Sequence, residues 1–228
     1  MAELRKIKRL FLPLFLTAFF LALFAPARFS GASEPVQLEK GIILLATEKV
    51  GGVFSKSVVL LFKHLPDKGT LGLIVNKPSG HLLSSLIDIK GELENLHKDL
   101  FLGGPKNPKI PTLLLNTDIP PKEADELFEG VYFSGSAIKV VNDEALSGIV
   151  HKEVRVYSGV ASWARGQLEA EINRGSWILL RPDVATVFSR EPERLWQDLQ
   201  ERLKGGGGQL IEVKNRHSIG QGINYGEK

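Results

Sequence analysis

The chain of 228 residues contains no cysteine. That excludes disulfides, thiolate nucleophiles, thiolate metal sites and cysteine-linked lipids, and it removes the usual redox clue to compartment. Histidine is scarce: His64, His81, His97, His151 and His217 are spread so that no two lie within four residues. No helical histidine pair for a metal ion can form. A Gly-x-Ser-x-Gly elbow is missing; Ser134-Gly135-Ser136 and Ser158-Gly159 come nearest and read as turn chemistry. Gly51-Gly52-Val53-Phe54-Ser55-Lys56-Ser57 has the wrong spacing for a phosphate-cradling loop. An excess of one charge is missing too. The formal net charge is +3, but residues 1–33 hold five cations against Glu3, so the remaining 195 residues carry about −1. A nearly neutral domain gives no electrostatic case for nucleic acid. The 43% apolar and 24% charged residues that are present match a globular protein and exclude wholesale disorder.

Long apolar runs are confined to the start. Arg5, Lys6, Lys8 and Arg9 precede residues 10–24, where 15 positions carry no charge. Ala25-Pro26-Ala27 and Ser30-Gly31-Ala32, both small-x-small, follow. This is the three-part order of a secretory signal peptide. Extending the run to Ala27 gives 18 positions, close to the roughly 20 of a membrane span, so an uncleaved anchor is the second reading. The charge asymmetry exports the following domain in either case. The expected location is outside the cytoplasm, periplasmic in a Gram-negative cell, or on the inner membrane; it is cytosolic only if the leader is a misassigned start.

Beyond the leader the signals alternate between strand and helix. Residues 41–46, 57–63 and 71–76 read as strands, the last two forming a hairpin across a turn built by Pro66 and Gly69. Pro78 stops the third strand. Residues 82–87 and 142–149 predict short helices, the second capped by Asn142. Gly103-Gly104-Pro105 is a sharp break, and 112–116 and 132–135 are strand-like. In 153–158, Val154, Val156 and Ser158 alternate with Glu153, Arg155 and Tyr157, as in a half-buried strand. Residues 164–173 predict a helix with Leu168 and Ile172 on one face, Arg165 paired with Glu169 on another, and Gly175 past its end. Strands are expected at 176–180 and 184–188. Residues 192–204 form the cleanest amphipathic helix, with Pro192 at its first position and Leu195, Trp196, Leu199 and Leu203 in a stripe. Four glycines at 205–208 make a flexible joint before a tail that is mobile or a loosely attached strand. The sum is an α+β fold of mixed strand direction, with a leader at 1–33, one domain at 34–204 and a tail at 205–228.

Few residues carry chemistry. His64 borders a hairpin whose other end carries Asn76 and Lys77, and these groups either converge on a site or solvate loop ends. Gly103 and Gly104 either offer backbone N–H groups to an anion or form a plain turn. Glu169 and Glu171 lie two apart on the predicted helix and point apart, which makes them poor partners for paired acid–base work. No cofactor and no metal site is expected.

Several segments together resemble the YqgE/AlgH family. They are Gly72-Leu73-Ile74-Val75-Asn76-Lys77-Pro78, then Leu102-Gly103-Gly104-Pro105, then Trp163-Ala164-Arg165-Gly166-Gln167-Leu168-Glu169-Ala170-Glu171-Ile172 and Gly175-Ser176-Trp177. Their order and spacing match from about residue 41 to 203. The resemblance implies α+β architecture with branched sheets curled into a pseudo-barrel and short flanking helices. It carries a label of transcriptional regulator of alginate synthesis, yet no DNA-binding motif belongs to the signature and no catalytic set comes with it. Three features depart from the pattern: the export leader, Lys106 where an apolar residue is usual, and the glycine-rich tail. An exported domain does not meet the chromosome.

The matching residues carry either structure or binding. Gly72 and Gly166 would serve close packing, Trp163 and Trp177 the core, and Asn76 or Gln167 the backbone. As a ligand- or partner-binding set the candidates are His64, Asn76, Lys77, Gly103, Gly104, Trp163, Gly166, Gln167 and Glu169. The leading expectation is a non-enzymatic binding or regulatory module with a protein partner or small ligand. The alternatives are a small-ligand or hydrolytic site near His64, Asn76 and Lys77, and the transcriptional regulator of the label.

Overall fold

The apolar runs become strands of one sheet. The computed structural model describes residues 38–82, 99–141, 153–207 and 210–211. The strands are β1 (Ile43–Ala46), β2 (Val58–Leu65), β3 (Gly69–Ile74), β4 (Pro78–Leu82), β5 (Asp99–Leu102), β6 (Lys106–Asn116), β7 (Asp125–Phe128), β8 (Val131–Ser134), β9 (Glu153–Trp163) and β10 (Trp177–Leu180). The helices are α1 (Ala137–Val141), α2 (Gln167–Asn173), α3 (Val184–Val187) and α4 (Leu195–Lys204). The main path runs β10-β1-β2-β3-β9-β6-β8-β7. A side branch leaves it at β9, where β5 pairs in parallel and β4 adds to β5.

The branch follows from strand length. Strand β9 has 11 residues and serves different partners along them. Residues 156–158 lie between β6 and β5, and residues 161–163 pair with β3. Sheet twist then brings the distant ends together. Phe62 of β2 stacks on Phe133 of β8 with ring centroids 3.9 Å apart. Lys40 Nζ donates to the Glu126 carbonyl of β7 at 2.6 Å. The result is the expected α+β domain, a branched sheet curled on itself.

Curling covers both faces of the central strands. Ile43 and Leu45 pack with Val58, Leu60, Leu73 and Tyr157 in the interior. Leu44 and Ala46 pack outward with Val59, Leu61, Trp163, Leu168 and Trp177 beneath α2. A third cluster under α1 holds Leu113, Leu115, Val140 and Val156. Every β1 side chain is fully buried, which explains an unbroken apolar run with no polar alternation. Each of its larger side chains contributes about 2 kcal/mol by leaving water.

Two chain crossings at the branch leave no room for side chains. A Cβ on Gly104 would lie 2.2 Å from the Val160 carbonyl carbon, and one on Gly159 would lie 2.1 Å from the Gly104 oxygen. Both glycines also hold positive φ, 151° and 70°. The Gly103 N–H donates to the Ser158 carbonyl at 2.8 Å, so this backbone joins β9 and does not present that N–H to an anion. Gly72 is likewise packed, its Cβ position 2.7 Å from Val59 Cγ1.

Several expectations need correction. Residues 184–188 are not a strand: Asp183 caps them by accepting from the Thr186 N–H and hydroxyl, both at 2.7 Å, and α3 forms. The last helix begins at Leu195, because 191–195 turn tightly through i→i+3 bonds such as Arg194 N–H to the Glu191 carbonyl at 3.1 Å. Pro78 opens β4 instead of only ending β3. Glu153, Arg155 and Tyr157 do not form a solvent face; Tyr157 is fully buried, because β9 is central and covered on both sides. The predicted helix at 142–149 lies outside the described residues, as does 82–87 apart from Leu82, which ends β4. The first described part of the tail is strand-like, with Leu210 bridged to Leu180. Among the described residues no helix is long and apolar enough to cross a membrane; the leader lies outside them.

The crossing gives a sharp prediction. Gly159→Ala should cost about 3 kcal/mol or more, because neither the φ nor the facing carbonyl can yield cheaply. Gly80→Ala, at a similar φ in open space, should cost about 1 kcal/mol. Urea midpoints of the two variants would check the contrast.

Candidate functional site

Three of the residues singled out in the sequence, Trp163, Gln167 and Trp177, assemble around Glu171. This carboxylate accepts from Trp163 Nε1 at 3.0 Å, Trp177 Nε1 at 2.8 Å and Gln167 Nε2 at 3.0 Å. Gln167 Oε1 in turn accepts from the Ala164 N–H at 3.0 Å, tying the first turn of α2 to the end of β9. Gly166 enters α2 with φ 72° and nothing near its Cβ position, so it is there for its dihedral and not for close packing. The two indoles meet edge to face at 5.9 Å, and Phe54 leans on both at 5.9 and 6.2 Å. Trp163 and Trp177 are therefore core residues whose polar edges need an acceptor, and Glu171 supplies it.

Asn76 and Lys77 hold the turn that carries Phe54. Asn76 Oδ1 accepts from the Val58 N–H at 2.8 Å, and its Nδ2 donates to the Lys56 carbonyl at 3.0 Å. Lys77 Nζ donates to the Val53 and Ser55 carbonyls at 2.6 and 3.0 Å. Partial burial lowers its pKa from the ordinary lysine value.

His64 sits apart from these two, at the opposite end of the hairpin. Its Nδ1 shares a 2.8 Å hydrogen bond with Thr70 Oγ1, and its Nε2 lies 3.9 Å from Glu169 Oε1. This is a hydroxyl–imidazole–carboxylate line, but the Thr70 residue is only 2% exposed. Arg165 pairs with Asp67 at 3.6 Å and not with Glu169, because α2 starts only at Gln167 and leaves Arg165 in the preceding turn. His64, Asn76, Lys77 and Gln167 thus do not converge on one concavity. Among the described residues there is no grouping of His, Asp and Glu able to hold a metal ion.

The larger cleft lies elsewhere. It has a volume of about 570 Å³ and is lined by Pro78, Phe101, Val154, Arg155 and the 189–194 turn. Arg155 crosses its inner side. Nη1 donates to the Val187 and Val75 carbonyls at 3.1 and 3.4 Å, and Nη2 donates to the Ser189 carbonyl. The guanidinium lies over Phe101, 4.7 Å from its centroid, and near Phe188 at 5.6 Å. Tyr157 is next on the same face. Burial pushes its phenol well above the usual tyrosine range, and the Arg155 charge opposes that shift. A second cleft of about 360 Å³ lies between α3 and α4, lined by Arg181, Asp183, Leu199 and Arg202 among others.

Sequence reasoning missed Arg155 and misjudged Glu171. Arg155 sat in an alternating strand and read as its solvent face. The signal for Glu171 was present as two tryptophans flanking one short helix, each with an N–H that burial obliges to find an acceptor.

Sequence and structure comparisons agree with this architecture. A family profile described as AlgH-like matches residues 43–207. The chain is 32% identical over 169 residues to a UPF0301 protein of Chlamydia abortus, covering 74% of this chain and 88% of that protein. It is 33% identical over 163 residues to a UPF0301 protein of Methylococcus capsulatus, covering 69% and 87%. A crystal structure from Corynebacterium diphtheriae shares the fold at a TM-score of 0.61 and 21% identity, over 75% of this chain and 90% of that one. The solution structure of AlgH from Pseudomonas aeruginosa does so at 0.59 and 23%, over 75% and 92%. This chain belongs to the AlgH-like family.

Two outcomes follow from the geometry. Glu171→Ala strands two indole N–H groups and should cost about 3 kcal/mol, with Glu171→Gln costing less, as read by urea unfolding. The raised Tyr157 pKa stabilises the fold fully below about pH 10, the unfolded value, and that contribution is lost as pH rises beyond it. Unfolding midpoints should therefore fall above about pH 10, and Tyr157→Phe should flatten that decline.

Proposed function

We propose that this AlgH-like domain is a non-enzymatic binding module that works outside the cytoplasm, released from or held by its leader. One observation carries the reading. The polar side chains that stand out in the sequence are bonded within the fold, whereas the larger cleft is lined by arginine and apolar groups suited to recognition. The leader supports the extracytoplasmic placement. Direct control of transcription fits poorly with an exported and nearly neutral domain.

The Thr70–His64–Glu169 line favours a second reading, a hydrolase acting on a small ester or related substrate. Burial of Thr70 weighs against it. The test is hydrolysis of p-nitrophenyl acetate by the full chain and by His64→Ala. Equal rates are expected; a folded His64→Ala variant that loses most of the rate would overturn the binding-module reading. The intact mass of the protein from its native cell tests placement. A chain beginning between Arg28 and Glu34, or an uncleaved chain in the membrane fraction, is expected. A soluble cytoplasmic chain would restore the regulator.

A further inference from the structure

The Arg155 cleft is more specific than a generic concavity. A guanidinium has five N–H donors, and carbonyl oxygens take three of them here, with the Tyr157 hydroxyl a further polar neighbour, so no more than two are left for a ligand. No carboxylate among the described residues pairs with this partly buried charge. Carbonyl dipoles and the Phe101 face offset only part of the cost of holding a cation out of water. A clamp needs no opening, yet Arg155 faces a volume suited to a small molecule.

The rim has a matching pattern. Arg194 is engaged by Glu191 at 3.4 Å and Asp198 at 3.7 Å. Arg190 lines the same cleft, is exposed and has no ion pair among the described residues. Pro78, Phe101, Val154 and Pro192 supply apolar surface. Glu193 at the rim opposes an anion and tempers its binding.

We infer that this cleft binds a small organic anion, a carboxylate on a flat apolar body. Arg155 and Arg190 hold the carboxylate, and Phe101 with the flanking prolines covers the body. A guanidinium fork matches a planar carboxylate in two parallel hydrogen bonds. The apolar lining adds nothing for a bare oxyanion, so inorganic phosphate fits poorly.

The experiment is a titration of the full chain with benzoate, benzamide and inorganic phosphate at matched ionic strength, read by nitrogen-edited NMR. Benzoate should give saturable shifts of the Arg155 Nε–H signal and of the Ser189, Arg190, Glu191 and Glu193 amides. Benzamide and phosphate should bind at least about tenfold more weakly. Arg190→Gln, an exposed change that spares the fold, should weaken benzoate about fivefold, and Glu193→Gln should strengthen it about twofold. No saturable shift at these signals, benzamide or phosphate matching benzoate, or an Arg190→Gln variant of unchanged affinity would each overturn the inference. It rests on the binding-module reading, but the two fail separately. Silent cleft signals remove the inference alone, and His64-dependent turnover removes the reading.

Discussion

The close approach of Gly104 to Gly159 is the contact on which the rest of the architecture depends. Strand β9 must meet β6, β5 and β3 within 11 residues. That requires the chain leaving β5 to cross β9 at backbone distance, and Cβ positions only 2.1 to 2.2 Å from carbonyl atoms show that any side chain would force the two apart. Because the crossing holds, the sheet branches instead of ending, and the branch lets it curl. Curling in turn buries both faces of β1, of the first half of β2 and of the middle of β9, so the interior is covered without a closed ring among the described strands.

The same strand delivers the polar features at its two ends. Arg155 and Tyr157 fall on the interior face near the start, and Trp163 falls on the outer face at the end. Arg155 and Trp163 are eight residues apart on β9, which places them at most about 27 Å from each other, with the positive φ of Gly159 bending the strand between them. The tryptophan end is closed by Glu171, Gln167 and Phe54, with Asn76 and Lys77 fixing the turn that carries Phe54. Together they form one hydrogen-bonded cap packed over β1 and β10. The Gly-Gln-x-x-x-Glu spacing of Gly166, Gln167 and Glu171 therefore has a structural explanation: a left-handed entry, a cap for the last strand residues, and an acceptor one turn later.

Much of this was legible in the sequence, and the failures have physical causes. Residues 41–46, 57–63 and 176–180 are apolar runs, and strands covered on both faces need no alternation. Gln167 and Asn76 were readable as backbone-satisfying groups because amides carry both a donor and an acceptor. The strand expected at 184–188 failed because one side chain, Asp183, decides the local backbone where β-branched residues only lean. Tyr157 and Arg155 were misplaced because alternation reports a solvent face only when one exists. Lys77 reads as a solvated loop end, yet its two carbonyl partners come from a turn more than twenty residues earlier, which no local pattern encodes.

Glu171 and Arg155 make an instructive pair, since each is a charge held mainly by neutral groups. Glu171 receives three N–H donors, from two indoles and an amide, and the aromatic cluster closes around it. Its hydrogen bonds tie three elements together, so its role is complete within the fold. Arg155 receives three carbonyls from two segments, which is enough to pin the 187–189 turn against β9 but not to use all its donors. A structural arginine of this kind is satisfied as fully as its surroundings permit, and here they stop at an open cleft. The difference between the two sites is therefore access and not charge. Where the fold encloses a charge the chain itself completes its hydrogen bonds, and where it leaves a charge facing an apolar-walled opening the remaining donors stay open to water.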